Sequence, residues 1–288
     1  MILPLWLPGY IKSFGPLSDD VAKALLTISP ATIDRLLKPV KAEYKLHGRA
    51  TTKPGTLLRK QIPVKLNQWD EYRPGFLEAD TVAHCGESMA GIFAFTVDCV
   101  DIATGWTEQR AVWGKGEDGV MVQIKDIEKS LPFPLLGFDS DNGSEFLNYH
   151  LLKHFTQREK PVQFTRSRAY HKNDNSHIEQ KNWTHVRQWL GYLVPLMNKL
   201  YKTEWRLFHN FFCPSVKLIA KERIASKTLK RYDEPKTPYQ RVMESLHVSE
   251  KTKAALTKQL QTLNPFELRR AIELRLERIF KLCHESKP

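Results

Sequence analysis

The sequence predicts an α/β fold: a mixed five-stranded sheet flanked by helices, with a helical segment ahead of it and a helical region behind. Two observations carry that reading. Three strand-like apolar runs follow one another between residues 76 and 113, and helical patterns then alternate with two short apolar segments up to residue 193. With 288 residues, 41% of them hydrophobic and 26% charged, the chain has the composition of one large globular domain accompanied by smaller ones.

The elements are justified in order. Ser18 is placed to cap a first helix, with Asp19 and Asp20 in its first turn and Val21, Ala22, Leu25 and Leu26 on one face. Ser29-Pro30 reads as the N-cap and first position of a second helix, striped by Ile33, Leu36 and Leu37 and broken at Pro39. Two short helices joined by a tight turn, with Thr32 and Arg35 on the outer side of the second, resemble a helix-turn-helix, and an ordinary helical hairpin is the competing reading. Residues 43–74 are basic, poor in apolar positions and interrupted by Pro and Gly, which predicts a linker.

Strands are expected at Phe76–Val82, at Ile92–Cys99 (nearly all apolar, hence central) and at Gly105–Trp113. A helix follows over about 117–130, with Val120, Ile124 and Ile127 in register. Leu135–Phe138 and Val162–Phe164 are short strands, separated by a helix at Phe146–Thr156 and followed by a long helix at Asn175–Leu193. More helix is expected over 196–222, then an irregular basic stretch. A final helix starts at Asn264-Pro265, with Leu268, Ile272, Leu276, Ile279 and Phe280 on its apolar face and Asn264 and Glu267 as a capping pair. The expected domains are a helix-turn-helix-like segment (1–42), a basic linker (43–74), an α/β core (75–224) and a basic helical region (225–288).

Charge is unevenly distributed. The net value of +12 divides into +6 over residues 1–70, −9 over 71–150, +11 over 151–240 and +4 over 241–288. An acidic block between basic flanks suits carboxylates that gather metal ions beside surfaces for a polyanion; solvated surface charge is the alternative. No run is long and apolar enough for a membrane span, and MILPLWLPGYIK has its charge after the apolar residues, unlike a signal peptide. Cys85, Cys99, Cys213 and Cys283 form no CxxC, which excludes a cysteine zinc cluster and points to a reducing cytoplasm. His150 and His154 are four apart, but Leu151 breaks the HExxH pattern.

Three carboxylates stand out. Asp80 lies towards the end of the first strand, Asp141 follows the strand LLGF in FDSDNGSEF, and Glu179 sits early in the long helix. Two strand-borne Asp residues and one helix-borne Glu can converge at the carboxyl edge of a sheet, where two Mg²⁺ ions find hard oxygen ligands. Read singly, Asp80 is an edge residue, DNG a plain turn and Glu179 an exposed helix position. Asp139, two residues before Asp141, is a competing ligand. Asp98 and Asp101 are expected to make packing or turn contacts, and Glu145 to cap its turn.

Asp80 in its strand, DNGSEF at 141–146 and Glu179 in YHKNDNSHIEQKNW resemble the integrase catalytic core of bacterial insertion-sequence transposases. The resemblance is close over about 70–195 and looser over the SPATIDRLL, TPYQRVMES and LNPFELRRAIE segments. It implies a ribonuclease H-like fold and DNA strand cleavage and transfer by a DDE enzyme. Asp80 bridges two Mg²⁺ or Mn²⁺ ions in that scheme, while Asp141 holds one and Glu179 the other. It further implies double-stranded DNA as partner, a homo-oligomer on that DNA, and the nucleoid of the bacterial cytoplasm as location. Arg35 and Thr32 are then candidates for base contacts, and His171, Lys172, Asn182 and Arg187 for contacts beside the scissile strand. The chain opens about 30 residues before its possible recognition helix, short for this family. A DNA-binding repressor without strand transfer is therefore one alternative, and a ribonuclease H-type nuclease another.

Overall fold

The computed structural model describes residues 3–43, 72–84, 94–140, 143, 145–166, 194–224 and 227–285. Its centre is a five-stranded sheet made of β1 (Phe76–His84), β2 (Ala94–Asp101), β3 (Thr107–Trp113), β4 (Gly137–Ser140) and β5 (Gln163–Arg166), in the order β3-β2-β1-β4-β5. β2 runs antiparallel to both neighbours, whereas β4 is parallel to β1 and β5 parallel to β4. Strand order and directions are those of the ribonuclease H-like fold.

Alternation along β1 divides the sheet into two faces. Leu77 and Ala79, with Val97, Cys99, Val112, Phe138 and Phe164, pack against α4 (Glu117–Ser130) and α5 (Tyr149–Thr156). Val120, Ile124 and Ile127 line α4 at helical spacing and are all buried. On the opposite face, Ala94 and Ala111 meet α6 (Val194–Leu200), a π-helical turn at Tyr201–Trp205, and α10 (Pro265–Glu285) through Met197, Leu200, Tyr201, Trp205, Ile272 and Ile279. A third cluster joins Trp106 to α7 (Arg206–Phe212), α8 (Pro238–Glu244) and α9 (Glu250–Gln261).

Gly75 ties the sheet together. Its φ of 117° lies in the left-handed region, and a Cβ there would meet the Pro134 carbonyl at 2.4 Å, so only glycine fits. Its N–H donates to Asp101 (2.7 Å), and its carbonyl accepts from Leu136 (2.8 Å) and Gly137 (3.1 Å), which joins the start of β1 to the end of β2 and the start of β4.

Several expectations are corrected. α1 (Leu3–Phe14) was not foreseen, because two prolines interrupt its pattern; Trp6 donates to the Phe212 carbonyl (3.1 Å) and edges onto Phe208 and Phe266. In α2 (Asp19–Thr27) the Ser18 side chain makes no capping bond. α3 (Pro30–Glu43) continues past Pro39, on an exposed stretch where the carbonyl freed by proline is not shut away from solvent. The helix expected over 196–222 ends at Phe212, ahead of Pro214, and β6 (Leu218–Ile224) and β7 (Lys227–Tyr232) pair antiparallel where the end of that helix and an irregular stretch were expected. The expected helix at 175–193 lies outside the described residues. No helix among the described residues is long and apolar enough to cross a membrane.

Candidate active site around Asp80

The period of two that buries Leu77 and Ala79 on one face puts Glu78 and Asp80 on the other. Asp80 is half-buried and lies directly across from Asp98 of β2, and one of its carboxylate oxygens accepts from the Thr81 N–H at 2.7 Å. The β1–β4 register pairs Glu78 with Asp139 and Ala79 with Ser140. Asp80, at the middle of β1, is thus the residue next after the last pair of the β1–β4 ladder. Asp98 is fully buried, and Glu78 and Asp139 nearly so, which gathers carboxyl groups beside Asp80.

Asp141, Glu179, His171, Lys172, Asn182 and Arg187 lie outside the described residues. Among the described residues no three His, Cys, Asp or Glu side chains converge on a point that holds a metal. Asp80 fits the role of one hard oxygen ligand: its carboxylate is partly exposed and oriented by a backbone N–H. At the N-terminal segment, Arg35 is exposed on α3. Thr32 is half-buried, with its hydroxyl 3.0 Å from that of Ser29 and its N–H donating to Ser29 Oγ at 3.2 Å, so the cap of α3 engages it.

The competing acids separate by their surroundings. Asp139 accepts from the Thr165 hydroxyl at 2.5 Å on the neighbouring strand, which ties its carboxylate into the sheet. Asp101 makes the expected turn contacts, accepting from Gly75, from the Thr104 N–H (2.8 Å) and from the Thr104 hydroxyl (2.6 Å). Burial raises its carboxyl to about 6, against the opposing pull of those hydrogen bonds and of Lys217. Lys217 is in turn lowered to about 8, by burial first and then by the charge of Arg241.

Among the described residues, the partners of the Glu145 side chain lie outside its own turn. Oε1 accepts from the Thr81 hydroxyl (2.7 Å) and from Lys115 Nζ (2.6 Å), and Lys115 lies 5.0 Å from the centre of the Phe95 ring. The turn is closed instead by the Phe146 and Leu147 N–H groups, which donate to the Gly143 carbonyl, and by Asn148, which donates to the Glu145 carbonyl (2.8 Å). Sequence reading missed Lys115 and Thr81; only the position of Thr81 next to Asp80 hinted at the second. It also missed a polar chain on the Asp80 face, where His84, Thr96 and Tyr201 are linked at 2.7 and 2.8 Å. Burial pushes the Tyr201 phenol upward despite its Thr96 hydrogen bond.

Strand order and strand directions together define a ribonuclease H-like α/β protein. No protein-family profile matches the chain. It is 36% identical over 250 residues to the uncharacterized protein y4rM of Sinorhizobium fredii, an alignment spanning 83% of this chain and 70% of that one. The chain belongs to the family of that protein. Among solved structures, a simian T-cell lymphotropic virus intasome complexed with the PP2A regulatory subunit B56 gamma overlaps 70% of this chain and 68% of its own, with 13% identity and a TM-score of 0.37. The catalytic core domain of BIV integrase overlaps 58% of this chain and 91% of its own, with 13% identity and a TM-score of 0.36. The fold assignment stands on strand order and register, not on these overlaps.

Proposed function

We propose that the chain is a DDE transposase, a divalent-metal-dependent polynucleotidyl transferase that cleaves the strands at the ends of an insertion sequence and joins them to target DNA. The observation that supports this best is the β1–β4 register, whose last pair joins Ala79, next to Asp80 in the chain, to Ser140, next to DNGSEF in the chain. In this reading Asp80, Asp141 and Glu179 would hold two Mg²⁺ or Mn²⁺ ions. Such ions lower the pKa of a bound water and neutralise the charge that builds on an in-line phosphoryl group. Asp80 contributes a carboxylate whose orientation is fixed by the Thr81 N–H. No Ser or Tyr nucleophile is needed.

DNA is held by the basic flanks, net +6 over residues 1–70 and +11 over 151–240, and offered to the acidic edge between them. His171 and Lys172 grip the scissile strand, Asn182 touches DNA one helical turn after Glu179, Arg187 contacts phosphate, and Arg35 with Thr32 faces base edges. The enzyme works as a homo-oligomer on double-stranded DNA in the bacterial cytoplasm. The test is nicking of supercoiled plasmid carrying the element ends, with Mn²⁺ or Mg²⁺. Asp80→Asn, Asp141→Asn and Glu179→Gln each abolish nicking while DNA binding persists, and Asp139→Asn is mild. Nicking that survives all three substitutions overturns the assignment; binding to the ends with no nicking by the wild type supports a repressor instead.

A further inference from the structure

We propose that Glu145, with Thr81 and Lys115, is a positioning clamp that sets the spacing between Asp80 and the DNGSEF turn; this rests on the metal-site reading above. One buried carboxylate oxygen ties two other segments to its own. The Glu145 side chain is 2% exposed, and its Oε1 takes the Thr81 hydroxyl of β1 and the Lys115 ammonium of the loop between β3 and α4. A buried carboxylate is costly unless paired and hydrogen-bonded, and this one is both. Its partner in β1 is the residue whose N–H orients the Asp80 carboxylate. Its own backbone carbonyl is held by Asn148, whose side chain also caps α5 by accepting from the Leu151 N–H (2.9 Å).

Movement of Glu145 away from β1 is therefore opposed by the Thr81–Glu145 bond, and its sideways slip by Lys115. Lys115 is itself seated over Phe95, a core residue of β2. Ligands borne by β1 and by this turn share a metal ion only if their separation is fixed. Groups that orient metal ligands in this way change affinity by about 10–100-fold when removed. Glu145 acts through hydrogen bonds, so its role depends on acceptor geometry and not on charge at the metal.

The test is Mn²⁺ affinity of the full chain, measured by isothermal titration calorimetry, alongside thermal stability of each variant. Thr81→Val removes one hydroxyl at nearly constant volume, and Glu145→Gln keeps an acceptor oxygen for both partners. Thr81→Val and Glu145→Ala should weaken Mn²⁺ binding about 10–100-fold. Thr81→Ser should restore it, and Glu145→Gln should lie within a fewfold of the wild type. A Glu145→Gln that loses Mn²⁺ while Thr81→Val keeps it makes Glu145 a direct ligand and overturns the clamp. Variants that lose thermal stability but keep wild-type Mn²⁺ affinity show a purely structural contact and overturn it as well. A wild-type chain that binds no Mn²⁺ overturns the metal site along with the clamp, whereas wild-type binding unchanged in Thr81→Val overturns the clamp alone.

Discussion

β3 is an edge of the sheet, and its outward-facing backbone groups need partners other than a sixth strand. Two asparagines supply them. Asn210 of α7 accepts from the Thr107 N–H and donates to the Thr107 carbonyl, both at 2.8 Å; Asn198 of α6 makes the same pair of bonds with Ala111, also at 2.8 Å. Each side-chain amide thus imitates one residue of a neighbouring strand. Asn210 is fully buried and Thr107 nearly so, so Asn210→Ala strands an N–H and a C=O away from water. At about 1–3 kcal/mol for each orphaned buried group, the expected loss is ~3 kcal/mol. Asn198 is only half-buried, and water can replace its amide, so Asn198→Ala should lose about 1 kcal/mol. Urea unfolding followed by circular dichroism reads both. For a chain of this size ~3 kcal/mol corresponds to a fall in Tm of about 6–12 °C. Asn210→Asp should be nearly as harmful, because a carboxylate accepts from the N–H but repels the carbonyl. An Asn210→Ala no worse than Asn198→Ala refutes the reasoning.

Three further outcomes are expected. Arg110 is buried, donating to Asp126 (2.5 Å), Ser130 (2.7 Å), the Gln109 carbonyl (2.8 Å) and Glu108 (3.2 Å); Arg110→Met should lose about 3 kcal/mol by urea unfolding, Arg206 still pairing Glu108. Stability should fall as pH rises from about 4 to 6, because folded Asp101 with its carboxyl near 6 binds the proton more tightly than the unfolded chain does. It should climb again from about 8 towards 10.5, where the unfolded chain holds the Lys217 proton and the folded chain has released it; urea midpoints across pH read both limbs, and Asp101→Asn should flatten the first. Arg35→Ala should narrow the gap in affinity between element-end and scrambled duplexes across a salt series, while Lys172→Ala should weaken both alike; an unchanged gap makes α2 and α3 a structural hairpin.

How legible each part was follows from the range of the interactions that made it. The apolar run in β2 and the 3.6 period of Val120, Ile124 and Ile127 are local signals, and they gave the sheet and α4 directly. The β6–β7 hairpin was hidden because LIAKERI and KTLKRY are rich in helix-forming Lys, Arg, Leu and Glu; their pairing with each other decides the conformation. α1 is held by contacts of Trp6 with Phe208, Phe212 and Phe266, more than 200 residues away, which no local pattern reveals. At the candidate site, Asp80 was visible as an acid in an apolar strand. The role of Glu145 was not, since its partners Thr81 and Lys115 lie 64 and 30 residues upstream and meet it only through the sheet.

Anomalous scattering from Mn²⁺ in crystals of the full chain addresses the central claim most directly. The account predicts two peaks about 3.5–4 Å apart, each at ~2.0–2.2 Å from carboxylate oxygens, with Asp80 contacting both, Asp141 one and Glu179 the other. Mn²⁺ bound by Asp98 or Asp139 in place of Asp80 and Asp141, or no peak beside Asp80, contradicts it.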